Sequence, residues 1–255
     1  MPTPSSASSS TSSRRRSVTV MALVVVLVGA LALGGLSALG GDRSGDSAAT
    51  GDGRGADEEG QTVQPLPDDH PVHALARRDG DDPLARGDAD APIVMIAYID
   101  FQCALCGRHA RVTEPKLVEE YVESGVLRIE FRNFPVFGPE SDTAARAAWA
   151  AGEQGMFWEF YTVAFSEDAH QHSGRFDEEG VMEIAEEAGV TDLDRFAEDL
   201  DSEEAGKAVE RDAEEGFGLG VTTTPAFLVN GHPLVGAQPV ETFRETIDQL
   251  LAARR

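Results

Sequence analysis

The sequence predicts an α/β domain, a mixed sheet flanked by helices and carrying an all-helical insertion, set behind one N-terminal transmembrane helix. Three observations predict it. A continuous apolar run, Ile93–Ile99, is followed by a helical pattern and a second strand, Val126–Phe131, and strand–helix–strand order implies a parallel pair with a right-handed crossover. Asn230-Gly231 sits between two short apolar runs, a strong signal for a two-residue hairpin. Between these blocks, residues 141–217 read as one helix after another.

In chain order, residues 1–17 form a head of Ser, Thr and Pro ending in Arg14, Arg15 and Arg16. Val18–Leu39 then carries no charge. At about 1.5 Å per residue it is about 33 Å long, enough for a hydrocarbon core of about 30 Å. The arginines place the N-terminus in the cytoplasm and the C-terminal domain outside. A cleaved signal peptide is the competing assignment. The run is longer than the usual signal core of about 7–15 residues, and Ser37-Ala38-Leu39-Gly40 is a poor cleavage site, which favours a retained anchor. Either way the domain reaches a compartment where disulfides persist.

Residues 42–86, rich in Gly, Asp, Ser and Pro, read as a flexible polar linker. Residues 87–255 suffice for one core. Everything beyond position 41 carries a net charge of −27, against −24 for the whole chain. That excludes nucleic-acid binding and adhesion to anionic lipid as functions, and marks a solvated acidic surface.

Within the domain, the first strand spans Ile93–Phe101 and reads as buried on both faces. A helix follows over Ala104–Ser124, kinked at Pro115 and ended by Gly125, before the strand Val126–Phe131. The insertion is expected as Ala144–Gln154, Phe157–Phe165, Glu178–Ala188, Leu193–Leu200 and Glu203–Gly216, with starts marked by Asp177 and by Thr191 or Asp192. Phe157, Trp158, Phe160, Tyr161 and Phe165 read as its core. The hairpin strands are Ala226–Val229 and His232–Val235. Pro239 opens a last helix with Val240, Phe243, Ile247, Leu250 and Leu251 on one face.

The chemistry rests on the two cysteines of the chain, Cys103 and Cys106, at the junction of the first strand and its helix. A thiol at a helix N-terminus faces unpaired N–H groups and the positive end of the dipole, which favour the thiolate. A second cysteine one turn on can attack the resulting mixed disulfide. The pattern is that of a dithiol–disulfide exchanger. Other uses of the thiols fit less well. Zinc wants about four ligands, no further cysteine exists, and His109 lies about 120° around the helix from Cys103. Haem attachment needs a histidine where Gly107 stands. A structural disulfide closing so short a loop restrains little chain entropy. Cu(I) binding, alone or with His170 and His172, stays open as a function of a different class, because Cu(I) prefers soft ligands; insulin reduction beside a copper titration separates the two.

Gly87–Pro92, the strand, Asp100-Phe-Gln-Cys-x-x-Cys106, Phe157-Trp-Glu-Phe160 and Gly220–Phe227 together closely resemble the DsbA-like thiol–disulfide oxidoreductases, thioredoxin folds with a helical insertion. The resemblance runs from about Asp82 to the C-terminus. It implies that Cys103 is the exposed nucleophile and Cys106 the buried resolving thiol. It also implies that Pro225 is cis, bringing Thr224 against the dithiol so that its backbone pairs with an extended substrate; the plain alternative is a trans proline opening an edge strand. Three positions depart from the family pattern. Ala104 replaces the usual proline, Leu105 offers the thiolate no polar partner, and Ala97 stands where some members bury an acid. Glu130 could supply a buried proton acceptor, though a solvated strand glutamate is the simpler assignment for it.

The expected function is a disulfide-forming oxidase acting on exported polypeptides outside the membrane, with a reductase or isomerase as the alternative direction. No cofactor or metal is expected beyond the redox-active Cys103–Cys106 pair. A membrane quinone-linked enzyme is the expected re-oxidising partner. With the helix mouth alone lowering the Cys103 pKa by about one unit, the expected potential is roughly −150 to −230 mV.

Overall fold

Five strands form the sheet in the order β1-β3-β2-β4-β5, where β1 is Ala85–Arg86, β2 Ile93–Ile99, β3 Leu127–Asn133, β4 Ala226–Val229 and β5 His232–Val235. The computed structural model describes residues 63–67, 69–168 and 171–254. The expected cytoplasmic head, the transmembrane helix at 18–39, residues 42–62 of the linker and His170 lie outside the described residues. Among the described residues no helix is long and apolar enough to cross a membrane.

The central pair β2–β3 is parallel, as the crossover requires, and β2–β4 and β4–β5 are antiparallel. All seven residues of β2 and of β3 are buried, so the sheet is covered on both faces. The β4–β5 turn is tight: Asn230 and Gly231 have φ of 45° and 87°, the positive values that a two-residue turn between twisted strands needs.

The helix after β2 is not the kinked α-helix expected. It runs through α1 (Ala104–Arg108), a π turn (His109–Thr113), α2 (Glu114–Leu117) and a second π turn (Val118–Val122). The amide of Glu114 donates to the carbonyl of His109 and that of Glu123 to Val118. Pro115 has no N–H to continue an α-helical ladder, and it stands in the first turn of α2, where that donor is not needed. The disruption is thus absorbed as widened turns.

The insertion comprises α3 (Pro139–Gly152), α4 (Phe157–Ala164), α5 (Glu178–Ala188), α6 (Leu193–Leu200) and α7 (Glu203–Gly218). Asp177, Asp192 and Ser202 cap α5, α6 and α7 through side-chain oxygens. Phe101, two residues before the dithiol, joins the sheet to this block. Its ring stacks on Phe165 with centroids 5.1 Å apart and meets Phe131, Phe160, Tyr161 and Phe176 at 5.8–6.3 Å. The chain ends in α8 (Val240–Ala252), with Pro239 capping it from just outside.

One face of the sheet carries Ile93, Met95, Ala97, Ile99, Leu127, Ile129 and Phe131 into the main core. The alternate residues of β3, namely Arg128, Glu130 and Arg132, point to the other face and are buried there. Glu130 is therefore not the solvated strand glutamate expected. Its carboxylate accepts the backbone N–H groups of Arg77 and Arg78 at 2.9 and 2.8 Å and the guanidinium groups of Arg128 and Arg132 at 3.0 Å each. Against burial, these donors hold its pKa below the ordinary value. Arg132 reaches on to Glu215, and Arg77 to Asp212, both on α7.

These partners also correct the end of the linker. Residues 69–86 pack on the domain: Leu84 joins the core, Ala85–Arg86 adds an edge strand to β3, and the Arg86 guanidinium lies 3.5 Å over the Trp158 ring. The polar composition of this stretch reflects residues that bind the sheet through backbone and guanidinium groups.

Candidate active site

Cys103 ends the loop after β2 with extended backbone, φ −82° and ψ 114°, and stands at the N-cap of α1. Its sulfur accepts the amide of Cys106 at 3.4 Å. The helix therefore aims an unpaired donor at the first thiol and buries the second one turn inside. Both cysteines are free thiols. Cys103 is not the exposed thiol expected: it is buried with 5% of its surface accessible, closed over by the Thr224 carbonyl, and Cys106 is fully buried.

The Thr224–Pro225 peptide is cis, and the carbonyl of Thr224 accepts the Cys103 thiol at 3.3 Å. The chain then enters β4, while the amide of Gly236, just past β5, donates to the carbonyl of Pro225 at 2.8 Å. The fold thus brings Cys103, Cys106, Thr224 and Pro225 together from segments more than a hundred residues apart. Leu105, between the cysteines, is 48% exposed and faces whatever approaches the dithiol.

The two thiols are electrostatically unlike. The Cys103 pKa falls to about 6: the Cys106 thiol hydrogen-bonded to it is the largest cause, and Thr224 and the amides of Cys106 and Leu105 add to it against an opposing burial effect. Burial, and then the neighbouring Cys103, push the Cys106 thiol well above the ordinary range. The helix mouth does not act alone on Cys103, as the bare Ala104-Leu105 spacer suggested. The second thiol supplies the polar partner that the spacer lacks.

Two supporting residues went unassigned in the sequence. Asp100 is buried, and its carboxylate accepts the amides of Gln102, Val136 and Phe137 and the hydroxyl of Ser141. Burial still pushes its pKa up. Gln102 donates to Ser141 at 2.8 Å and accepts the amide of His172 at 2.7 Å. Together they lock the turn before Cys103 to the start of the insertion. The signal was present in the Asp100-Phe-Gln segment of the motif, but the partners lie about 40 to 70 residues away. His172 enters through its backbone. Among the described residues no group of three or more His, Cys, Asp or Glu is placed to hold a metal ion.

Glu130 is not near the thiols in function: it pairs with Ile96 across β2–β3 and faces away from the core that holds Cys106. Ala97 faces that core. His109, one turn after Cys106, is fully buried with both ring nitrogens unbonded, packed on Phe227 with ring centroids 4.4 Å apart and on Phe243 at 5.4 Å.

A thioredoxin family model matches residues 79–249. Among curated relatives, a protein named "Probable disulfide bond formation protein D" from Bacillus anthracis is 30% identical over 168 residues, covering 65% of this chain and 76% of that protein. The Na(+)/H(+) antiporter NhaA of Herminiimonas arsenicoxydans is 35% identical over 170 residues, 67% of this chain; the match spans a quarter of the antiporter's length. Among solved structures, oxidised BdbD from Bacillus subtilis superposes with a TM-score of 0.62 at 22% identity, covering 68% of this chain and 94% of that one. A thioredoxin-like oxidoreductase from Silicibacter pomeroyi DSS-3 gives a TM-score of 0.59 at 27% identity, over 69% and 95% of the two chains.

Proposed function

This chain belongs to the thioredoxin family, among its DsbA-like thiol–disulfide oxidoreductases, and we propose that it is a net disulfide-forming oxidase acting on exported polypeptides outside the cytoplasmic membrane. The observation that carries this is the asymmetry of the pair, one thiol lowered to about 6 and the other raised. A lowered nucleophile pKa stabilises the reduced form, so the disulfide form is the stronger oxidant.

In this reaction a substrate thiolate attacks Cys103 of the Cys103–Cys106 disulfide, and Cys106 leaves. A second substrate thiolate then attacks the mixed disulfide and releases Cys103, so the substrate leaves oxidised and the pair remains as two thiols. Thr224 and Pro225 bind the substrate backbone beside Cys103 in β-like pairing. A membrane quinone-linked enzyme restores the disulfide, and the segment 18–39 holds the domain at the membrane surface. The name of the Bacillus anthracis relative supports the oxidase direction.

Equilibration with glutathione buffers tests the direction. Thioredoxin pairs a pKa of about 7 with about −270 mV and DsbA about 3.5 with about −120 mV, so a pKa of about 6 interpolates to about −230 mV. A potential at or below about −270 mV makes reductase the correct description.

A further inference from the structure

The second face of the sheet, with Val94 and Ile96 of β2, is covered by Leu75 and Ala76 and by Ala213 of α7. Beside this cover lies a cleft of about 200 Å³. Its floor is apolar, made by the buried Val94 and Ile96 with Leu228 of β4, and Val72 and Ala76 form a wall. Its mouth carries two exposed arginines, Arg78 and Arg254. The cleft sits where the chain enters β2, whereas the dithiol loop leaves from the other end, after Ile99. Val94 to Ile99 is about 16 Å of strand, so the cleft is a separate place from the exchange site.

Both guanidinium groups are fixed to one loop. Arg78 Nη1 donates to the carbonyls of Ala89 and Ala91 at 2.8 and 3.0 Å, and Arg254 Nη1 donates to that of Pro92 at 2.7 Å. A guanidinium has five N–H donors, and these bonds occupy one nitrogen of each; no described partner takes the rest. Among the described residues neither arginine pairs with a carboxylate, in a chain with 45 acidic residues against 21 basic ones. On the same face Arg128 and Arg132 are satisfied by Glu130 and Glu215. Arg78 also has a φ of 48°, the left-handed region uncommon for a residue with a side chain, and Glu130 holds it there through its backbone N–H at 2.8 Å. The other polar walls are committed: the Asn230 amide to Val94 and Pro92, and His73 Nε2 to the Pro67 carbonyl.

We propose that this cleft binds an apolar monocarboxylate, with its carboxylate on Arg78 and Arg254 and its apolar body on Val94, Ile96 and Leu228. A guanidinium matches a carboxylate in bidentate geometry. An amine meets two positive charges there, and an uncharged ligand leaves the donors unused. A dry cavity of about 150 Å³ takes up benzene, so this one holds a ring or a branched side chain and is too small for a long acyl chain. A free small acid and the last residue of a polypeptide, such as leucine, offer the same chemistry. The site does not depend on disulfide exchange.

Methyl-resolved NMR of the full chain, labelled at Ile, Leu and Val, tests the site with phenylacetate as the probe. Saturable shifts are expected at Val94, Ile96 and Leu228, and none at Leu105 beside the dithiol. The dissociation constant should be about 1 mM or tighter, the range open to about ten non-hydrogen atoms. Phenylacetamide, of the same shape without the charge, should bind about tenfold more weakly, and Arg78→Gln and Arg254→Gln should each weaken phenylacetate about tenfold. Arg78→Gln keeps the backbone N–H that Glu130 accepts, and Arg254 is exposed, so the two variants check each other. A peptide ending in a leucine carboxylate, run beside its C-terminal amide, separates the sources: tighter binding than phenylacetate assigns a polypeptide end, weaker binding a free acid. Equal binding of phenylacetamide, unchanged affinity in both variants, or no saturable shift from either acid at about 10 mM overturns the site and leaves the exchange function standing.

Discussion

Glu130 and His109 lie under opposite faces of the same sheet, both fully buried, yet the carboxylate accepts four hydrogen bonds and the imidazole makes none. On the Glu130 face the charged groups satisfy one another, and they tie residues 77–78, β3 and α7 together. On the His109 face the polar groups behind the dithiol keep unused bonding capacity. An unpaired buried polar group costs about 1–3 kcal/mol, and breaking one partner of a buried ion pair costs about 3–5 kcal/mol. The first face is built for fixed charge. The second tolerates groups whose protonation changes during exchange.

The sharpest way to separate the faces is to remove chemistry from one without touching the other. Cys103→Ser is expected to abolish disulfide exchange, and Cys106→Ser to leave a nucleophile that accumulates mixed disulfides, visible on non-reducing gels. Cys106→Ser buries a hydroxyl in place of a thiol at a fully buried site and should lower stability in the reduced state by about 1–3 kcal/mol. Substantial exchange by Cys103→Ser would place the nucleophile elsewhere.

The opposite break is Glu130→Ala. It leaves two guanidinium groups and two amides without their acceptor, so unfolding in urea should show a loss of about 3–5 kcal/mol. The pH midpoint for alkylation of Cys103 should not move. A change under 1 kcal/mol would mean that the network contributes little.

His109→Leu sharpens the contrast from the dithiol side. Burial lowers the His109 pKa to about 3 from 6.5. Between these values the unfolded chain binds the extra proton and the folded chain does not, so this histidine makes stability fall as pH drops from about 6.5 toward 3. The slope is at most about 1.36 kcal/mol per pH unit. His109→Leu should remove that slope and raise stability at neutral pH by about 1–3 kcal/mol, since an apolar side chain replaces an unsatisfied one. Urea titrations at pH 4 and 7 check both signs.

These contrasts also separate what the sequence makes legible from what it hides. The apolar run of β2, the Asn230-Gly231 turn, the caps at Asp177 and Asp192 and the Cys103–Cys106 spacing carry local signatures, and the structure places each of those elements. The Glu130 network has none. Two of its four donors come from more than 50 residues upstream and its further partners from about 85 downstream, and the flanking Arg-x-Glu-x-Arg, read alone, looks like a solvated strand edge. β1 escaped notice because two residues carry no periodicity; Leu84 in the core and Arg86 on Trp158 hold it. The full lowering of Cys103 has no local signature, because Cys106 acts on it as a hydrogen-bond donor as well as a resolving thiol.

The smallest expected effect belongs to Leu105. Leu105→His places a donor beside the Cys103 thiolate at an exposed position, and each further pKa unit corresponds to about 1.36 kcal/mol, or about 30 mV for the pair. A rise of about 30 mV in glutathione buffers, with no change in urea midpoint, would show that the spacer tunes the site independently of either buried face.

The most direct measurement is site-resolved alkylation of the reduced chain with iodoacetamide across pH 4–10, read by mass spectrometry. Cys103 should label with a midpoint of about 6, and Cys106 should stay unlabelled through neutral pH. Faster labelling of Cys106, or a Cys103 midpoint near the ordinary thiol value of about 8.5, would contradict the assignment of nucleophile and resolving thiol.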